Sequence, residues 1–166
     1  MLVTFLIPCL NESRTIADVI KDCHEAGKNI EGYEIIISDN GSKDGSQELS
    51  KENGASVVYA EKKGYGSALK EGIINAKGKY IIMGDADNTY DFKETFRFIE
   101  MLDKGYDLVM GNRFKGKIQK NAMPLLHFYL GNPVLSAIGK LFFGIKIGDF
   151  HCGIRAFRKD SISKLN

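Results

Sequence analysis

Short apolar runs alternate with amphipathic stretches along the first two thirds of the chain. Residues 2–8 form an unbroken apolar run with β-branched members, bounded by Pro8 and Asn11, the pattern of a strand buried on both faces. Ser13 precedes residues 15–26, where Ile16, Val19, Ile20 and Cys23 recur at helical spacing and Gly27 can stop the helix. Residues 34–39 predict a second buried strand, residues 40–46 a turn cluster, and residues 46–53 a helix. A third strand is expected at 55–60, a glycine-led helix at 64–76 and a fourth strand at 79–84. Residues 92–103 read as a helix with Phe92, Phe96, Ile99 and Met101 or Leu102 on one side, and residues 107–111 as a fifth strand.

Strands that alternate with helices imply βαβ units and a mostly parallel sheet. Ligands of such sheets sit beyond the carboxyl ends of the strands. Polar clusters are expected at four of those ends: Asn11-Glu12, Asp39-Asn40, Asp85 to Asn88, and Asn112-Arg113. Four clusters on one rim make a site. No internal repeat, low-complexity tract or linker interrupts the pattern.

Composition narrows the classes. The chain has 166 residues, 43% of them hydrophobic, which suits one domain with a real core. Its net charge of +2 gives no whole-molecule attraction to nucleic acid. Its 18 glycines point to tight turns and close backbone–ligand approaches. Cys9, Cys23 and Cys152 form no C-x-x-C pair and an odd set, so buried thiols in a reducing compartment are expected. The amino terminus reads as a first strand, with no signal-peptide pattern. No run reaches the ~18 apolar residues of a spanning helix.

Asp85-Ala86-Asp87 follows an apolar strand. Residues i and i+2 of an extended chain project to one side, and two carboxylates so close repel. A hard divalent cation, Mg²⁺ or Mn²⁺, relieves that repulsion and takes substrate phosphates as further ligands. A solvated acidic turn capping the next helix is the plainer alternative. Asp39 can accept from a base or ribose, or can close an Asx-turn. Asn11-Glu12 can serve the same nucleoside, or cap a helix. Lys63-Gly64 opens a helix and offers a cation and N–H groups to an anion. Arg113 and Arg155 carry forks suited to phosphate. The spacing excludes a dinucleotide fingerprint and a Walker loop, and no serine-hydrolase elbow or zincin motif is present. His24, His127 and His151 have no metal-ligand spacing. Lys115, Lys117 and Lys120 precede a largely apolar stretch, 124–147, which reads as core or as a surface touching lipid or a hydrophobic acceptor.

Six segments taken in order, IPCLNES (7–13), SDNGSKDGS (38–46), KKGYGSAL (62–69), GDADNTYD (84–91), GNRF (111–114) and GDFHCGIRAF (148–157), resemble glycosyltransferase family 2. They look most like its polyprenyl-phosphate hexosyltransferase branch. The resemblance implies a GT-A fold, α/β with a mostly parallel central sheet flanked by helices. It implies one catalytic domain with a nucleotide-sugar half near 1–114 and a shorter acceptor-side half near 115–166. Pro8, Leu10, Asn11, Glu12, Asp39, Asn40, Lys63, Gly64, Asp85 and Ala86 would bind the nucleotide-sugar, and Asp85 and Asp87 the metal. Arg113 and Arg155 would hold phosphates, and Asp149 matches the acidic residue that acts as base toward hydroxyl acceptors. The implied reaction is inverting transfer of a hexose from a UDP- or GDP-sugar to a lipid phosphate at the cytoplasmic face of a membrane. Transfer to a glycan hydroxyl and non-catalytic nucleotide binding are the alternatives. Two departures stand out. Thr89 occupies a place where the branch often has Gln, so water would complete the metal shell. The chain also ends at Asn166, soon after GIRAF, where relatives continue; a truncated product or fragment is expected.

Overall fold

A computed structural model describes residues 2–112, 142, 147–149 and 152–162. The chain divides into two units, Met1–Val109 with Ile154–Asn166, and Met110–Gly153. Arg113, the lysines at 115, 117 and 120, and most of the apolar stretch at 124–147 lie outside the described residues.

The first unit opens with β1 (Leu2–Cys9), α1 (Ile16–Gly27), β2 (Gly32–Asp39), α2 (Ser46–Glu52) and β3 (Ser56–Tyr59). It continues with α3 (Tyr65–Asn75), β4 (Tyr80–Met83), a 3-10 turn at Phe92–Glu94, α4 (Phe96–Asp103) and β5 (Leu108–Met110), whose last residue opens the second unit. Two short elements close it, β6 (Arg155–Arg158) and α5 (Lys159–Ile162). The sheet order among the described residues is β3-β2-β1-β4-β6-β5. Parallel pairing joins β1 to β2, β1 to β4, and β2 to β3.

The strand at the centre, β1, is buried from Val3 to Cys9. That is why it reads as a continuous apolar run: each face meets a layer. On one face Leu6 joins Ile36, Ile81, Met83, Ala76 and Phe157. Helix α3 packs closely there, because a side chain at Gly72 would collide with Leu6. On the other face Phe5 meets Tyr33 edge-on at 6.0 Å and Phe92 at 6.1 Å.

Two features depart from the sequence pattern. The helix expected over 92–103 is broken, because Thr95 turns its hydroxyl back to the Phe92 carbonyl at 2.6 Å and closes a separate 3-10 turn. The sixth strand, β6, was not expected at all. It inserts antiparallel beside β4, with Arg155 opposite Met83 and Arg158 opposite Tyr80. An antiparallel strand presents its amino end where its parallel neighbours present their carboxyl ends. Arg155 is thereby brought to the rim where β4 ends.

Candidate active site

The sheet reverses direction of growth at β1, with β2 on one side and β4 on the other. Their carboxyl ends therefore diverge into a crevice, the usual ligand position of an open α/β sheet. A cleft of about 500 Å³ occupies this place, within the ~300–1,000 Å³ usual for ligand sites. Pro8, Cys9, Leu10 and Glu12 line it from β1, and Asn40 and Gly41 from β2. Lys63 and Gly64 line it from the loop before α3, Tyr65 and Ala68 from the first turn of α3, and Asp85, Ala86 and Asp87 from the turn after β4.

Sequence reasoning placed Pro8, Leu10, Glu12, Asn40, Lys63, Gly64, Asp85, Ala86 and Asp87 here, and all nine line the cleft. Asn11 and Asp39 do not line it. Asn11 adopts φ 58 and its Oδ1 accepts from Lys43 N at 2.8 Å, while its own N–H donates to Ser42 Oγ at 2.9 Å. Asp44 reinforces this seam by accepting from Ser13 N at 2.9 Å and from Ser46 Oγ at 2.5 Å. These bonds, the Ser46 hydroxyl foremost, hold its carboxyl well below the usual range. The β1–α1 and β2–α2 loops are thus sewn together behind the cleft.

Asp39 is fully buried, and its Oδ1 accepts from Gly41 N, Ser42 N and Gln47 Nε2 at 2.9, 2.9 and 2.7 Å. Its Oδ2 is buried and has no hydrogen-bond partner among the described residues. An unpaired buried acceptor costs about 1–3 kcal/mol or more, a cost that a ligand donor would remove. The Asn40 amide is committed to the glycine loop. Its Nδ2 donates to Ala60 O at 3.0 Å and Lys62 O at 2.8 Å, and its Oδ1 accepts from Gly64 N at 2.6 Å. That clamp sets the amino end of α3 against the cleft. Gly64 takes φ +118, a backbone region open to glycine. Ser38 Oγ donates to Ala68 O at 2.6 Å and fixes the same turn from beneath. The unbonded N–H groups at a helix start suit an anion.

The acidic pair reaches the cleft by a turn. The strand ends at Met83, and Ala86-Asp87 lie in a turn and not in extended chain. The i, i+2 strand argument therefore gives the right neighbours for the wrong reason. Asp87 Oδ1 accepts from Thr89 N at 2.9 Å, and Asn88 takes φ 61. Gly84 lies on the buried Phe92 ring, where a Cβ would stand 2.5 Å from Cζ. Lys93 pairs with Asp22 of α1 at 3.0 Å and holds the far side of the loop.

Asp85 is half-buried and accepts from the Tyr65 hydroxyl at 3.0 Å. Burial, and then the Asp87 charge, raise its carboxyl, while Tyr65 and the Arg155 charge oppose them. Burial and the Asp85 charge push the Tyr65 phenol up in turn. Tyr65 was missed as a site residue, although it stands inside the KKGYGSAL segment; an aromatic donor between two loop glycines was the available signal. No group of three or more His, Cys, Asp and Glu among the described residues is arranged to hold a metal. Asp85 and Asp87 can hold a hard cation only as two ligands, the rest coming from water and ligand oxygens. The donor chemistry fits Mg²⁺ or Mn²⁺, which keep several waters and take phosphates.

The raised Asp85 carboxyl has a consequence for stability. A carboxyl whose folded pKa exceeds its unfolded one is penalised on ionising. Stability of the cation-free protein should then fall as pH rises from ~3.9 through the raised value, and stay reduced at neutral pH. Asp85→Asn keeps the acceptor for Tyr65 and removes the penalty. Its melting temperature at pH 7 without metal is expected to rise above that of the unaltered protein. A lower melting temperature contradicts this electrostatic picture.

Asp149 belongs to the second unit, where it is buried and its carbonyl accepts from Cys152 N at 3.5 Å. All three cysteines are buried, as their composition suggests. Burial foremost, with the Asp39 charge, pushes the cleft thiol of Cys9 up. Among the described residues no helix is long and apolar enough to cross a membrane.

Fold and cleft together define an α/β protein with a cleft at the switch point of a mostly parallel sheet. The chain belongs to glycosyl transferase family 2, whose sequence profile matches residues 4–165. It is 38% identical over 161 residues to the low-salt glycan biosynthesis hexosyltransferase Agl6 of Haloferax volcanii, covering 96% of this chain and 39% of that protein. It is 34% identical to the glycosyltransferase AglJ of the same organism, covering 96% and 51%. A dolichyl-phosphate hexose transferase of Haloferax volcanii is 28% identical over 152 residues, covering 90% and 63%. The chain thus spans about half the length, or less, of the first two curated relatives. Among solved structures, glucosyl-3-phosphoglycerate synthase from Mycobacterium tuberculosis, in complex with Mn²⁺, UDP and phosphoglyceric acid, superposes with a TM-score of 0.71 at 22% identity. That match covers 96% of this chain and 56% of the synthase. The fold is accordingly the GT-A fold.

Proposed function

We propose that the protein transfers a hexose, with inversion, from a UDP- or GDP-linked sugar to a polyprenyl phosphate at a membrane surface. The observation that carries the donor half is the cleft itself. It opposes two close carboxylates, Asp85 and Asp87, to the amino end of a glycine-led helix. That pairing suits a diphosphate bridged to Mg²⁺ or Mn²⁺. The Mn²⁺ and UDP named with the mycobacterial synthase are in keeping with it.

The chain's own residues would divide the work as follows. Pro8, Leu10 and Glu12 would enclose the nucleoside. Asp39, which lies behind the lining residues Asn40 and Gly41, would accept from it on resemblance, and its Oδ2, unpartnered among the described residues, is in keeping with that role. Lys63 and the α3 amino end would receive phosphate oxygens. Arg155, half-buried and acting on both Asp85 and Tyr65, would hold a phosphate of donor or acceptor. Arg113 would do the same, on resemblance alone. A divalent cation bound at Asp85 and Asp87 would neutralise charge developing on the departing diphosphate.

The dolichyl-phosphate relative favours a lipid phosphate acceptor, while the glycan-biosynthesis relative favours a sugar hydroxyl. Asp149 separates the two. A phosphate nucleophile is already anionic at neutral pH, whereas a hydroxyl must give up a proton to a base. Asp149→Asn is therefore expected to lower transfer to a polyprenyl phosphate less than about tenfold. Transfer to a hydroxyl acceptor would fall by about 10²–10⁴-fold. The assay follows labelled hexose from nucleotide-sugar to each acceptor. Transfer to the glycan alone, abolished by the substitution, overturns the lipid-phosphate reading.

A further inference from the structure

Thr15 stands at the N-cap of α1, a place where a threonine hydroxyl ordinarily accepts from a backbone N–H of the first turn. It makes no such bond. The hydroxyl donates instead to the Ala86 carbonyl at 2.7 Å, between residues 71 positions apart. Its other acceptors, the Glu12 carbonyl at 3.3 Å and Glu12 Oε2 at 3.4 Å, are longer. The single hydroxyl proton therefore belongs to Ala86. Forgoing the cap leaves the first-turn N–H groups of α1 without that acceptor, so the placement is made at a cost to α1.

Ala86 is the residue between the two carboxylates, and it is 4% exposed. No strand ladder reaches it, because β4 ends at Met83. The triplet is held by side chains. Asp87 is tied forward to Thr89 N, Asp85 sideways to Tyr65, and the central peptide to Thr15. Of these three ties, only the last leaves both carboxylates out of the bond, so it persists when their oxygens turn to another ligand. Thr15 also donates its backbone N–H to Glu12 O at 3.1 Å, and Glu12 is itself a residue of the cleft lining. One residue thus joins the loop of the nucleoside side to the loop of the acidic pair.

We propose that Thr15 is a positioning residue for the divalent cation: by holding the Ala86 carbonyl, its hydroxyl sets the directions of the Asp85 and Asp87 carboxylates. The inference rests on the function proposed above. A small hard cation tolerates little deviation in its oxygen ligands, and partners that orient metal ligands are commonly worth 10–100-fold in affinity.

The test measures Mn²⁺ binding by electron paramagnetic resonance in the presence of UDP or GDP, whichever the unaltered protein binds. Nucleotide binding in EDTA is measured in parallel by calorimetry. Thr15→Val removes the hydroxyl at similar volume, Thr15→Ala removes it with less risk of crowding, and Thr15→Ser restores it. Val and Ala are expected to weaken Mn²⁺ binding at least about tenfold. Ser should stay within about threefold of the unaltered protein, and nucleotide affinity in EDTA should stay within about threefold in all variants. Unchanged Mn²⁺ binding in Thr15→Ala overturns the proposal. So does a loss that appears equally in EDTA, or one that Thr15→Ser fails to restore, since each marks a merely structural residue. Failure of the unaltered protein to bind Mn²⁺ with either nucleotide overturns the cation reading of Asp85 and Asp87 itself, a different result from a failure confined to Thr15.

Discussion

Replacing Asp87 by Ala is expected to lower metal-dependent sugar transfer by about 10³-fold while leaving the fold intact. Asp87 is exposed and, among the described residues, bonds only to the Thr89 N–H beside it. Its removal should cost stability little, because exposed positions usually fall within about 0.5 kcal/mol. Its chemical loss is large because the described protein offers two carboxylates and no third metal ligand. One remaining carboxylate is a poor site for a cation that must also face a diphosphate. Rates measured with saturating donor and a Mn²⁺ titration would separate the effects. A variant with an unaltered melting temperature and no turnover fits the account; one that keeps its turnover removes Asp87 from the site.

Asp39→Asn should have the second largest effect, through the nucleoside. The amide can keep its Oδ1 toward Gly41 N, Ser42 N and Gln47, so the turn survives. It places an NH₂ where Oδ2 now stands buried and unpartnered. A ligand N–H or O–H that would have met a carboxylate then meets a donor. Losing a charge-assisted bond and leaving donors opposed is worth about 1.5–3 kcal/mol, roughly 10–150-fold in nucleotide affinity. Calorimetry with the nucleoside diphosphate would measure it. Unchanged affinity means that Asp39 only builds the turn. Asp39→Ala does not make this distinction, because it breaks the turn and the ligand contact together.

The strands of the β1, β2 and β4 core were legible because each carries a run of buried apolar residues, which the buried polar Thr4 of β1 and Ser38 of β2 do not mask. The rim followed from the alternation of strands and helices, and Asp85 and Asp87 from their place after an apolar strand. The rest depended on partners distant in sequence. Strand β6 is four residues long with an arginine at each end, and only its place between β4 and β5 makes it a strand. Asn11 and Asn40 were legible as polar rim residues, but their type does not say that their amides would be spent on Lys43 N and Gly64 N. Tyr65 and Thr15 acquire meaning only through Asp85 and Ala86, 20 and 71 positions away. A capping position ordinarily explains a threonine fully, so nothing in the local pattern set Thr15 apart.

The central claim, that Asp85-Ala86-Asp87 grips the diphosphate of a nucleotide-sugar through a divalent cation, is tested most directly by thermal shift. UDP- and GDP-sugars are compared with Mn²⁺ and with EDTA, on the unaltered protein and on Asp87→Ala. A ligand at a hundred times its Kd adds about 2.7 kcal/mol to the folded state. The account predicts that one nucleotide class raises the melting temperature strongly with Mn²⁺ and much less in EDTA, and that Asp87→Ala loses the Mn²⁺-dependent part. No shift with any nucleotide-sugar, or a shift indifferent to both Mn²⁺ and Asp87, would contradict it.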